Sequence, residues 1–231
     1  MKRNKLWLIP CAFLLGCCVL NLIGCLTEGR LDDIVKPALM PLLTVTTFVW
    51  LLGRNDRGAD YSAAGLLLCA QLFGFAGDTA LLGPGFPFFA GGIGLFLVGH
   101  IFYITLLGGK SLKGISAWQW IAGIVAGLAA TGALILTIGV NGAMLAPMGI
   151  YAFVLTMLIF SAIMGVVRFG GLTWWLLLAG ACLFAFSDAL IAVRSFTGMD
   201  FSLYAFVVMT TYLLAQSLLA AGGLRLVVQK P

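Results

Sequence analysis

Residues 174–195 read WWLLLAGACLFAFSDALIAVRS and have the composition of a helix that crosses a lipid bilayer. Such a helix needs about 20 mainly apolar residues to cross about 30 Å of hydrocarbon. Seven other stretches of the chain are similarly apolar. With ends uncertain by about two to four residues, the eight predicted spans are residues 6–26, 34–52, 62–82, 88–108, 118–139, 146–167, 174–195 and 203–226.

The composition of the whole chain excludes a water-soluble fold. Of its 231 residues 62% are hydrophobic and 9% are charged, whereas roughly 25% of the residues of an average soluble domain are charged. No stretch alternates with period two, so a transmembrane β-barrel is not supported. The connections between spans are short and rich in turn-forming residues, which leaves no room for a soluble domain. The sequence therefore predicts an all-α polytopic transmembrane bundle of about eight helices, with residues 1–231 forming a single domain.

The positions of the lysines and arginines predict how the bundle is oriented. In an eight-span chain, three of these residues lie on or near one side of the membrane: Arg30, Lys36 and Arg194. The other side has ten: Lys2, Arg3, Lys5, Arg54, Arg57, Lys110, Lys113, Arg168, Arg225 and Lys230. Because cytoplasmic loops are enriched in basic residues, we expect both termini in the cytoplasm. We also expect that the membrane is a bacterial inner membrane. The formal charge of +5 is then a consequence of topology and does not indicate nucleic-acid binding.

An alternative concerns the first helix. The basic start of the chain followed by an apolar run resembles a signal peptide, and Leu22-Ile23-Gly24-Cys25 resembles a lipoprotein cleavage box. Cleavage would leave seven spans and spoil the segregation of basic residues. We therefore predict that the helix is retained.

Two acidic residues, Asp78 and Asp188, lie well inside predicted spans. A charged aspartate at the centre of a bilayer costs about 2.5–3.5 kcal/mol on insertion scales, so intramembrane carboxyls generally have a function. The alternative is a neutral or paired carboxyl that holds helices together. The other six acidic residues fall in or beside loops, where solvation accounts for them.

Further polar side chains fall between the outer interface and the middle of the membrane, if helix direction alternates along the chain. We expect these residues to line one polar pocket with the two aspartates: Asn21, Lys36, His100, Tyr103, Tyr212 and Gln216. Within one helix, His100 and Tyr103 are spaced i, i+3, and Tyr212 and Gln216 are spaced i, i+4, so each pair shares a helix face. Structural alternatives remain for four of them: His100 as a core histidine, Tyr103 and Tyr212 as packing tyrosines, and Lys36 as a lysine that snorkels to the interface.

Several kinds of catalytic site are excluded by the residues present. The chain has one histidine, which cannot build a three-histidine zinc site, and it has no G-x-S-x-G nucleophile elbow. What remains is acid–base chemistry by carboxylates. We expect neither a metal nor another cofactor.

Five short motifs together resemble the YhhN-like lysoplasmalogenase family. They are GDTALL (77–82), LFLVGHIFYI (95–104), LFAFSDALIA (183–192), TYLLAQSLLAAG (211–222) and Lys36-Pro37. The resemblance implies an eight-helix membrane enzyme that hydrolyses the vinyl ether bond of lysoplasmalogens to a fatty aldehyde and glycerophosphocholine or glycerophosphoethanolamine. It also implies that Asp78 and Asp188 are the catalytic residues. The substrate would be a lysophospholipid, or a related lysolipid, that enters from the bilayer.

Vinyl ether hydrolysis fits a pair of carboxyls. The reaction begins with protonation of the alkenyl carbon, and water then attacks the resulting oxocarbenium ion. One aspartate would act as the acid, while the other, ionised, would stabilise the cation and orient water, as paired carboxylates do in glycosidases. The sequence does not assign the two roles.

Two other functions use the same residues. In a proton- or cation-coupled transporter, the intramembrane aspartates would carry protons or bind the cation while a small molecule crosses. Transport folds commonly have helices that are broken at mid-membrane, whereas Asp78 and Asp188 have no flanking proline. A non-catalytic lipid-binding or assembly protein is the third possibility.

Overall fold

The structure is a computed structural model that describes residues 5–27, 31–53 and 60–229. The described residues form eight helices, a short 3-10 turn at Gly142–Met144 and no strand, which confirms the predicted fold class. Each helix begins and ends within three residues of its predicted span. The helices are α1 (Leu8–Thr27), α2 (Leu31–Leu52), α3 (Tyr61–Leu81), α4 (Phe86–Ser111), α5 (Ala117–Ile138), α6 (Leu145–Phe169), α7 (Gly171–Thr197) and α8 (Tyr204–Val228).

All eight helices are long and apolar enough to cross a membrane. Large apolar side chains cover the outside of the bundle, among them Leu136, Trp118 and Val167. A surface of this kind is matched to lipid and would associate or aggregate in water. Six of the basic residues that predict the orientation lie outside the described residues, so the cytoplasmic location of both termini stays a prediction: Lys2, Arg3, Arg30, Arg54, Arg57 and Lys230.

Glycines let the helices that carry the aspartates approach their neighbours closely. A Cβ atom added at Gly77 of α3 would lie 2.9 Å from the Phe96 ring of α4. On α7, a Cβ at Gly180 would lie 3.0 Å from the backbone nitrogen of Leu219 in α8. Small residues at such contacts are the usual basis of tight helix packing in membranes, where no hydrophobic effect drives association. As a result, α3 packs along α4 and α7 packs along α8.

The fifth helix stands at the side of the bundle and packs mainly against α6. The Gly123-xxx-Gly127 spacing, which we interpret as a helix-packing motif, lies at this contact. A Cβ at Gly123 would be 2.6 Å from the Phe160 ring, and one at Gly127 would be 2.8 Å from Cε of Met157. Against α7, by contrast, α5 makes little contact.

The two ends of the bundle differ in their polar contacts. We call the end at which α3, α5 and α7 finish and α4, α6 and α8 begin the far end of the bundle. At the opposite end, Lys110 Nζ donates to the carbonyls of Leu226 (3.0 Å) and Gln229 (3.1 Å), and Arg168 donates to the carbonyl of Ser111 (2.7 Å). These cations satisfy carbonyls at the C-termini of α8 and α4 and complement the helix dipoles.

Candidate active site

A pocket lies near the far end, between α2, α3, α4, α6, α7 and α8, and contains about 620 Å³ of space not filled by atoms. Both intramembrane aspartates line it. The wall is mainly apolar and consists of Lys36, Asp78, Leu81, Phe89, Ile93, Phe96, Met148, Tyr151, Ser187, Asp188, Ile191, Ala192, Val208, Met209 and Tyr212. This region is called the main pocket below.

Asp78 enters the main pocket from the last turn of α3 and is 7% exposed. The hydroxyl of Tyr212 donates to Asp78 Oδ2 at 2.6 Å. Behind Tyr212, Gln216 Nε2 donates to the Tyr212 hydroxyl oxygen at 3.4 Å, and the Tyr103 hydroxyl donates to Gln216 Oε1 at 3.5 Å. Since Gln216 occupies the acceptor side of the Tyr212 hydroxyl, the hydroxyl proton is directed at the carboxylate of Asp78.

Asp188 lines the main pocket from the middle of α7 and is less buried than Asp78. Its Oδ2 accepts a hydrogen bond from the Tyr151 hydroxyl of α6. The neighbouring Ser187 Oγ donates to the carbonyl of Val208 at 3.2 Å and joins α7 to α8. Each aspartate therefore has a tyrosine as its hydrogen-bond donor, and each tyrosine comes from a different helix.

Aromatic rings pack behind the two aspartate–tyrosine pairs. The centroid of the Phe184 ring is 5.6 Å from that of Tyr212 and 4.6 Å from that of His100, and the His100 centroid is 5.6 Å from that of Tyr151. His100 is buried and does not line the main pocket. Among the described residues, its ring nitrogens bond to no other side chain, and the ring interacts with the backbone of Phe96, one turn earlier in α4. The arrangement holds Tyr151 and Tyr212 in place through ring packing.

The structure distributes the sequence-predicted residues unequally around the site. Lys36 of α2 lines the main pocket and interacts electrostatically with Asp78, and Tyr212 lines it as well. Tyr103 and Gln216 lie behind Tyr212. Asn21 is away from the main pocket, and its Nδ2 donates to the backbone carbonyl of Asp32 at 3.4 Å. The expected single polar pocket is therefore a mainly apolar one, to which four of the eight predicted side chains contribute: Lys36, Asp78, Asp188 and Tyr212.

Tyr151 is the residue that sequence reasoning missed. The available signal was depth, because Tyr151 lies about two turns into α6 from the far end, close to the level of Asp188 in α7. Many apolar residues lie at the same depth, and depth does not reveal which face of α6 meets α7. Only the packing of α6 against α7 distinguishes Tyr151 from a lipid-facing tyrosine.

Comparison with known proteins gives two similarities. The model of the YhhN family matches residues 31–223, which include both aspartates. Human lysoplasmalogenase TMEM86B is 27% identical over 239 aligned positions, which cover 97% of this chain and 89% of the human protein. No solved structure matches.

Proposed function

Because the chain belongs to the YhhN family of membrane proteins, we propose that it hydrolyses the vinyl ether bond of a lysoplasmalogen or a related single-chain ether lipid. The products would be a fatty aldehyde and a glycerophospho-alcohol. Similarity to a human protein named lysoplasmalogenase supports this reaction. The observation that carries the proposal is that two carboxyl groups from separate membrane helices line one mainly apolar pocket, each held by a tyrosine hydroxyl.

The reaction needs an acid and a base in turn. A carboxylic acid protonates the alkenyl carbon that is not bonded to oxygen, and the neighbouring carbon becomes part of an oxocarbenium ion. A carboxylate removes a proton from water as its oxygen attacks that carbon, which gives a hemiacetal. The carboxyl formed by this step then protonates the leaving glycerol oxygen, while the first residue, now ionised, takes the hemiacetal hydroxyl proton. The aldehyde is released and both carboxyls return to their starting states.

In this proposal Asp188 is the acid and Asp78 is the base. Lys36 interacts electrostatically with Asp78, and the Tyr212 proton is directed at Asp78 through Gln216. The charge of Lys36 and the hydrogen bond from Tyr212 both stabilise an ionised Asp78. Two carboxyls and one ammonium group in a mainly apolar pocket are balanced in charge when one carboxyl keeps its proton, since an uncompensated buried charge is unfavourable. Asp188, to which a tyrosine also donates, then supplies the proton.

Lys36 has a second role, which is to bind the phosphate of the substrate. It lies six residues into α2, near the far end, where a lysine ammonium group can meet a lipid headgroup. A lysine binds phosphate as a point charge through charge-assisted hydrogen bonds. The lipid enters from the bilayer, and the proposal needs no metal or other cofactor.

One feature of the described helices disfavours the transporter alternative. Both α3 and α7 continue as helices past Asp78 and Asp188, whereas transport sites are commonly built at broken helices. Substrate counterflow in proteoliposomes separates the two functions, because an enzyme of this kind gives none. A lipid-binding or assembly protein would bind the lipid without releasing aldehyde.

The first prediction concerns the two carboxyls. In Asp78→Asn and Asp188→Asn, aldehyde release from lysoplasmenylethanolamine should fall by about 10²–10⁴-fold, because each variant loses a positioned acid or base. The assay uses the purified protein, with its fold checked by size-exclusion chromatography and thermal unfolding. Asp200→Asn is the control, since Asp200 is paired with Arg194 at the surface (2.9 Å) and does not line the main pocket. If both pocket variants are folded and keep wild-type turnover, the proposed mechanism is wrong.

A further inference from the structure

A second cavity lies on the other side of the Tyr151–Asp188 pair, between α5, α6 and α7, and contains about 450 Å³ of space not filled by atoms. It is called the side cavity below. Four of its residues also line the main pocket: Met148, Tyr151, Asp188 and Ala192. The other residues of its wall are Ala130, Thr131, Leu134, Ala152, Leu155, Thr156, Ala185 and Ala189. Asp188 and Tyr151 thus stand between two cavities.

The side cavity faces the lipid rather than the membrane surface. At the far end, a cluster of buried apolar residues that includes Ile138, Met144 and Met148 fills the space between α5, α6 and α7. Ala130, which lines the cavity, is exposed on the side of α5. Since α5 makes little contact with α7, the gap between these helices gives the cavity a border with the hydrocarbon of the bilayer.

The chemistry of the wall restricts what can occupy the side cavity. No basic residue lines it among the described residues, so a phosphate group would be left without a counter-charge. Small and branched apolar side chains make up most of the wall, which suits a hydrocarbon chain. The polar groups are confined to Tyr151, Asp188 and two threonines.

Thr131 adds an unused polar group. Its side chain is 8% exposed, and its Oγ1 has no hydrogen-bond partner among the described residues. Most helical threonines donate to a carbonyl of the preceding turn, as Thr137 does to Ala133 (2.8 Å) and Thr156, in the same wall, does to Phe153 (2.7 Å). An unpaired buried hydroxyl is unfavourable unless something in the cavity accepts its proton. The occupant that fits this wall is an apolar chain with an oxygen at one end.

We propose that the side cavity binds the hydrocarbon chain of the single-chain ether lipid while the main pocket binds its glycerophosphate part. This inference rests on the proposed function. The ether bond then crosses from one cavity to the other beside the Tyr151–Asp188 pair, where Asp188 reaches the alkenyl carbon. The chain slides in between α5 and α7 from the bilayer, and the aldehyde leaves by the same gap.

The test fills the side cavity without touching Asp78, Asp188 or their tyrosines. Ala185→Leu on α7 and Ala130→Leu on α5 each place extra carbon atoms inside the side cavity and shorten the space left for a chain. The matched controls are Ala179→Leu on α7 and Ala133→Leu on α5, both at exposed positions that do not line the cavity.

The probe is an equimolar mixture of saturated alkyl-ether lysophosphatidylcholines, from decyl to octadecyl, which cannot undergo vinyl ether hydrolysis. Bound lipids are counted by native mass spectrometry. Each methylene that no longer fits costs roughly a factor of four in affinity. The two cavity variants should therefore bind octadecyl lipid about tenfold less, relative to decyl lipid, than the wild-type protein, and the controls should keep the wild-type ratio.

An unchanged ratio in folded cavity variants, or an equal change in the controls, would overturn the side-cavity proposal. This binding result does not depend on turnover. Aldehyde release from vinyl ether lysolipids of different chain length is measured in parallel. A wild-type protein that binds the ethers with the expected selectivity but releases no aldehyde would contradict the proposed hydrolysis and leave the chain-binding site supported.

Discussion

Replacing Tyr212 by phenylalanine tests how the main pocket controls Asp78. The variant removes the 2.6 Å hydrogen bond to Asp78 Oδ2 and leaves Gln216 Nε2 without the hydroxyl at 3.4 Å. A hydrogen bond to a charged group contributes about 1.5–3 kcal/mol. If Tyr212 stabilises the ionised Asp78 in the rate-limiting step, kcat/KM should fall by about 10- to 150-fold. The assay is aldehyde release from lysoplasmenylethanolamine by purified protein.

The size of the effect should decline along the hydrogen-bonded chain. Tyr103→Phe removes a 3.5 Å bond to Gln216 Oε1, which is long and joins two neutral groups, so kcat/KM should fall by less than about fivefold. Tyr61→Phe is the control, because Tyr61 is 80% exposed at the opposite end of the bundle. Thermal unfolding is measured for all three variants, since the unpaired amide of Gln216 also costs about 1–3 kcal/mol of stability in Tyr212→Phe.

A double-mutant cycle distinguishes an effect through Asp78 from a general loss of packing. In the Asp78→Asn background, Tyr212→Phe should cost little further activity, because the charge that Tyr212 stabilises is already absent. The reasoning is refuted if folded Tyr212→Phe has wild-type kcat/KM. It is equally refuted if Tyr103→Phe is as damaging as Tyr212→Phe.

Two further variants test the assignment of Lys36 and His100. Lys36→Met should raise KM by about tenfold for a substrate with a phosphate headgroup, because a charge-assisted contact is lost. The KM for an alkenylglycerol without phosphate should rise much less. Equal changes in the two KM values would exclude phosphate binding by Lys36. His100→Phe keeps the ring contacts with Phe184 and Tyr151 and removes two ring nitrogens that bond to no other side chain among the described residues. We expect kcat within about threefold of wild type and little change in the unfolding temperature, since the variant loses only an interaction with the backbone of its own helix. A large fall in kcat in a folded protein would show that His100 takes part in the reaction.

The location of α5 has a consequence for how the protein meets its lipid. It is attached through glycine contacts to α6 and lies apart from the main core, whereas α3, α4, α7 and α8 are packed around the aspartates. If the lipid chain binds in the side cavity as proposed, it would enter between α5 and α7, where the helices make little contact, and would leave the pairs Asp78–Tyr212 and Asp188–Tyr151 undisturbed.

The sequence alone determined the eight spans and the two intramembrane carboxyls, because length, apolar composition and the cost of a charge in hydrocarbon are properties of each segment taken separately. It also placed Tyr212 beside Gln216, since the i, i+4 spacing fixes a contact within one helix, and the structure has that contact. Which helices are neighbours, and how each is rotated, depended on side-chain packing between segments far apart in the chain. The tertiary structure therefore decided that Tyr151 meets Asp188, that His100 packs against Phe184 without lining the main pocket, and that Asn21 meets a backbone carbonyl of α2 instead. Contacts of this kind arise from the close approach of whole helices at glycines such as Gly77 and Gly180, and helical periodicity within one span does not encode them.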